Sequence, residues 1–62
     1  MNSTNAMNAV RNALETYAAS LGVPFTEAVN LFKTEESTRE CIHLLVLAQA
    51  DKDCLRKMAS AL

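Results

Sequence analysis

Three features of this 62-residue chain predict a small all-α domain of three or four helices. Apolar residues recur at spacings of three and four along most of it, as one face of a helix requires. The single glycine and the single proline stand together between two such stretches, where a helix stop and a helix start are wanted. The longest apolar run, Cys41 to Ala48, has no hairpin turn signal near it and follows a helix-start pattern. The expected helices are about 5–21, 24–33, 38–49 and 52–62, in one domain spanning 1–62 with 1–4 flexible.

In the first helix Met7, Val10, Leu14, Tyr17 and Leu21 form the apolar stripe, with Ala6, Ala13 and Ala18 beside it. Asn8, Arg11, Asn12, Glu15 and Ser20 fall mostly opposite, and Ser3 or Thr4 is the expected N-cap. Gly22 suits the left-handed residue just past a helix end, letting Val23 fold back on the last turn. Pro24 cannot continue that helix but suits the first turn of the next. There Phe25, Ala28, Val29 and Phe32 have inward spacing, while Thr26, Glu27, Asn30 and Lys33 face solvent. Leu31 lies off the buried face, which marks it for contact with another chain.

Thr34 to Ser37 reads as a polar connection, and Ser37-Thr38-Arg39-Glu40 has the capping-box form that starts a helix at Thr38. At roughly 100° per residue, Cys41, Leu45 and Ala48 share the core line of this helix. Ile42 and Val46 flank that line on one side, Leu44 and Leu47 on the other. The apolar arc then covers about two-thirds of the circumference, too wide for an ordinary surface helix. One of the two flanks is therefore expected to be covered by another copy of the chain. After Ala48 the pattern fails over Gln49 to Asp53, which predicts a break near Ala50 and Asp51. The alternative is one helix from Thr38 to Leu62, since Cys41, Ala48, Leu55 and Leu62 keep a seven-residue spacing. Leu55, Met58, Ala59 and Leu62 form the last apolar ladder, read as packing across a dimer.

Composition narrows the function. Six basic and seven acidic residues leave a net charge of −1, with no general attraction for phosphate backbones. No apolar stretch reaches the ~20 residues that span a bilayer, and neither a basic n-region nor an apolar h-region opens the chain. A soluble cytoplasmic protein without a membrane partner is expected, its two cysteines, Cys41 and Cys54, reduced and packed as small apolar side chains. A chain this short buries only about 60% of its unfolded surface, so self-association is the natural source of further stability.

Chemistry-bearing residues do not assemble in the sequence. His43 is the one histidine, and Cys41, two residues away, points elsewhere on the helix, so no nucleophile–base pair is formed. Glu40-x-x-His43 occurs once, where a di-metal bundle needs it twice. No catalytic residue, metal ligand or cofactor is predicted, and the protein is read as not an enzyme. Lys52, Arg56 and Lys57 make a basic face, tempered by Asp51 and Asp53.

Ala18-x-x-x-Gly22-Val23 looks like the turn of a helix-turn-helix, where a small residue and a glycine let two helices cross closely. A DNA-binding regulator of that kind would present Thr26, Glu27, Asn30 and Lys33. Those residues carry one acid and one base, where phosphate contact needs clustered cations, so nucleic acid is possible but not favoured. The favoured reading is a protein–protein interaction module, a regulator, inhibitor or adaptor working by helix packing as a homodimer. Its interaction residues are Leu31, Ile42, Leu44, Leu45, Val46, Leu47, Leu55, Met58 and Leu62.

Overall fold

The computed structural model describes residues 3–46 and 50–61, and all its regular structure there is helical. The helices are α1 (Ser3–Leu21), α2 (Phe25–Thr34), α3 (Glu36–Val46) and α4 (Lys52–Ala61). Ser3 and Thr4, expected as cap and flexible lead, already belong to α1.

α1 ends as the lone glycine predicts. Gly22 has φ +70°, its N–H donates to the Ala19 carbonyl at 3.2 Å, and the Val23 N–H reaches back to Ala18 at 3.1 Å. That pair of bonds is the Schellman closure, which satisfies carbonyls the helix leaves open. Pro24 sits one position earlier than expected, as the N-cap of α2, with φ −64° and ψ 156°. Its ring sets that φ, and its carbonyl accepts from Glu27 and Ala28 at 3.0 and 3.2 Å.

Between α2 and α3 the connection is a single extended residue, Glu35, at φ −115° and ψ 119°. Its N–H closes α2 on the Leu31 carbonyl at 2.8 Å, and its own carbonyl accepts the Arg39 N–H at 3.2 Å. The capping box at Ser37 therefore does not form. An N-cap needs non-helical dihedrals, and Ser37 is already inside α3 and exposed. Glu36 instead places an acid in the first turn, where the helix dipole favours it. Ala50 and Asp51 are non-helical, which rules out one helix from Thr38 to Leu62. Asp51 caps α4: its Oδ1 accepts the Cys54 N–H at 2.8 Å, and its carbonyl the Leu55 N–H at 3.1 Å.

The core draws on all four helices: Ala6, Val10, Ala13, Leu14 and Ala18 of α1, Ala28 and Phe32 of α2, Ile42 and Val46 of α3, Leu55 and Ala59 of α4, with Ala50. Phe32, Ile42, Leu55 and Val46 are its largest fully enclosed side chains. Three apolar stripes differ from expectation. On α2, Phe25, expected inward, is exposed, because the buried face there is Ala28 and Phe32. In α1, Ala6 is inward while Met7 and Leu21 are exposed. In α3 the inner line is Thr38, Ile42 and Val46, one residue on from the expected Cys41–Leu45 line and so turned by about 100°.

A polar contact accompanies the shift in α3. Thr38 is buried, and its Oγ1 lies 3.3 Å from the Tyr17 hydroxyl of α1. Burying a hydroxyl costs about 1–3 kcal/mol unless it finds a partner; Tyr17 supplies one. α3 runs back antiparallel along α1, since Thr38 meets Tyr17 at one end and Leu45 faces Ala9 to Thr16 further on. α4 then packs on α3 and α2.

Candidate interaction surface

With α3 so oriented, its opposite flank is apolar and uncovered. Leu44 is 68% exposed and Leu45 53%, and Cys41, a turn before both, is exposed as well. Residues at i, i+3 and i+4 share one helix face, so these three side chains make a ridge. Cys41 was expected in the core; the rotation that buries Ile42 and Val46 turns it outward. Cys54 is half-buried, and both thiols are free.

Beside the ridge, between α3 and α1, lies an open hollow of about 280 Å³ lined by Ala9, Asn12, Ala13, Thr16 and Leu45. None of these side chains carries charge. The Thr16 hydroxyl donates to the Asn12 carbonyl of its own helix at 3.1 Å, so its hydrogen is engaged before any partner arrives. Alanines give the hollow its depth, because their short side chains leave space where a larger residue would fill it.

The remaining expected interaction residues divide three ways. Ile42, Val46 and Leu55 are at most 2% exposed and belong to this chain's own core, so they offer no surface to another molecule. For Leu55 the reason is that α4 folds back on α3 and α2, which the separate helix after Asp51 makes possible. Leu31 and Met58 are half-buried, Met58 against the core. Leu47 and Leu62 lie outside the described residues. On α2, Thr26, Glu27, Asn30 and Lys33 are all exposed, with the inward place after Gly22 filled by Ala28.

Arg39 is the polar residue whose role the sequence did not disclose. From α3 its Nη1 donates to the Phe32 and Lys33 carbonyls at 3.0 and 3.1 Å, and its Nη2 is 3.6 Å from Glu36 Oε1. The guanidinium thus clasps the C-terminal end of α2, where unpaired carbonyls and the negative end of the dipole favour a cation. Only the single-residue link at Glu35 brings Arg39 within reach of that end, and no local pattern announces it. Its Nε is buried without a hydrogen-bond partner.

On this side Arg39 pairs with Glu36, and Arg56 with Asp53. A cleft of about 40 Å³ between α3 and α4 is lined by Glu36, Arg39, Glu40, Lys52, Leu55 and Arg56, mixing acids and bases in space for little more than water. Arg56, expected to share a basic face with Lys52 and Lys57, pairs with Asp53 at 2.9 Å and turns toward a hollow also lined by Lys33 and Arg39. Among the described residues no group of three or more His, Cys, Asp and Glu could hold a metal ion, and no helix is long and apolar enough to cross a membrane. His43 stands half-buried on α3.

No protein-family model, curated protein or solved structure matches this chain. Fold and surface define it as a short all-helical protein with an uncharged apolar face on α1 and α3.

Proposed function

We propose that this chain is a small non-enzymatic interaction module, a regulator, inhibitor or adaptor that acts by helix packing and works as a homodimer. The observation that carries this reading is the Cys41–Leu44–Leu45 ridge, which the chain's own fold leaves uncovered. Singly exposed apolar residues are ordinary. Two adjoining leucines beside an alanine-floored hollow form a continuous patch, the kind of surface that marks contact with another protein. Covering the half to two-thirds of such a side chain that is exposed is worth about 1–2 kcal/mol, a sizeable increment for a chain whose whole stability is expected to be about 3–9 kcal/mol. Absence of charge on the face agrees with the depletion of charged residues at interface centres.

DNA recognition through α2 draws less support. Its outward face offers one acid, Glu27, and one base, Lys33, and Arg39, which lines a hollow with Lys33 and Arg56, is engaged by carbonyls and Glu36.

The test is sedimentation equilibrium on the wild type and on Leu44→Ser/Leu45→Ser, from micromolar to near-millimolar protein. The wild type is expected to dimerise, and the double variant to remain monomeric with the same far-UV circular dichroism. A wild type that is monomeric across the range overturns the proposal.

A further inference from the structure

We infer that the two copies dock ridge into hollow: Leu44 and Leu45 of each copy enter the space lined by Ala9, Asn12, Ala13 and Thr16 of the other, about a two-fold axis. This rests on the homodimer proposed above and specifies its geometry. The first argument is self-complementarity. A two-fold interface uses the same patch twice, so that patch must contain both a projection and its receptacle. Here the two adjoin, and Leu45 belongs to both, as ridge residue and as a wall of the hollow. A leucine entering from the partner therefore meets Ala9, Ala13 and Leu45 together.

Charge gives the second argument. A face docking against its own copy brings its own charges together across the axis, and like-charge contact is costly. Ridge and hollow carry none. The nearest acids, Glu40 one turn before Leu44 on α3 and Glu15 one turn after Asn12 on α1, both lie, at about 100° per residue, beyond the outer edges of the ridge and the hollow. Self-docking through the hollow side keeps the two copies of Glu40 at the rim, whereas docking through the outer side of α3 would oppose them.

Size sets the expected strength. α1, of 19 residues, is about 28 Å long and α3, of 11, about 16 Å, each about 10 Å wide, giving a face of about 440 Å² per copy. That is below the ~800 Å² per partner of a standard interface, so the dimer is weak and concentration-dependent.

The experiment moves a side chain from one half of the contact to the other. Asn12→Trp fills the hollow from an exposed position, and Leu44→Ala trims the ridge without touching the hollow's lining. The wild-type chain has no tryptophan, so emission from the introduced indole reports on the filled variant alone. Each variant is expected to dimerise at least about tenfold more weakly than wild type. Mixed, they should associate more tightly than either does alone, with a blue shift of the tryptophan emission, because the mixture restores one intact ridge-and-hollow contact. Thr16→Leu is a second hollow-filling variant should Asn12→Trp lose helix content. If the filled variants dimerise like wild type, the hollow is not the receptacle even though the homodimer stands. A mixture no tighter than its components also overturns the inference. A monomeric wild type removes the homodimer itself, a separate failure.

Discussion

Leu44 and Leu55 provide a controlled comparison, because one chemical change at two leucines should give unequal outcomes. Leu55 is 1% exposed at the junction of α4 with α2 and α3, and Leu44 is 68% exposed on α3. Leu→Ala removes three carbons, worth about 0.8 kcal/mol each in transfer, or about 2.4 kcal/mol at full burial. The space left among rigid neighbours raises this for Leu55 to about 3 kcal/mol, within the range of core leucine truncations. At Leu44 two-thirds of the side chain is in water before the change, so the loss in the monomer is about a third of the transfer value, ~0.8 kcal/mol, with no cavity left behind. The assay is urea unfolding followed by far-UV circular dichroism, in dilute protein so that self-association contributes least. Leu55→Ala should move the midpoint far toward zero denaturant, with loss of α4 helicity; Leu44→Ala should move it much less. Equal effects would refute the assignment of Leu55 to the chain's own core, and with it the division between core and docking face.

Three further outcomes follow from local geometry. Gly22→Ala should lower the melting temperature by about 4–8 °C, since a left-handed residue with a Cβ costs about 1 kcal/mol. A Cβ there meets nothing within 4 Å, so the cost is backbone alone, and Gly22→Asn should recover part of it. Asp51→Ala removes the bond to the Cys54 N–H and should destabilise by about 1 kcal/mol, read as faster amide exchange in the first turn of α4; unchanged exchange would argue against the cap. Random duplex DNA at low salt should give no anisotropy change with micromolar protein. A complex that weakens steeply with added salt would return the helix-turn-helix reading to first place.

What the sequence determined by itself is the set of local decisions. The all-helical character and the stop at Gly22 follow from periodicity and from the one residue free to turn left-handed. The lapse in the apolar pattern near Ala50 favours a break, with one helix from Thr38 to Leu62 left open until the structure shows Ala50 and Asp51 non-helical. These depend on neighbours within a turn or two, so they can be read along the chain. Caps were less legible. Ser37 and Glu40 fit a capping box, yet the helix begins before them, because one extended residue at Glu35 suffices to reverse the chain.

Only the tertiary structure decided which flank of α3 points inward. An apolar count favours the Cys41–Leu45 line and cannot credit Thr38 with a core position. Thr38 is tolerated as an inner residue because Tyr17, 21 positions away, brings a hydroxyl to it, in an orientation that puts Ile42 and Val46 in and Cys41, Leu44 and Leu45 out. The surplus of apolar surface on this helix is legible in the sequence. Its location on the Leu44–Leu45 side, beside a hollow floored by alanines of α1, is set by how α3 packs against the other helices, which no periodicity encodes.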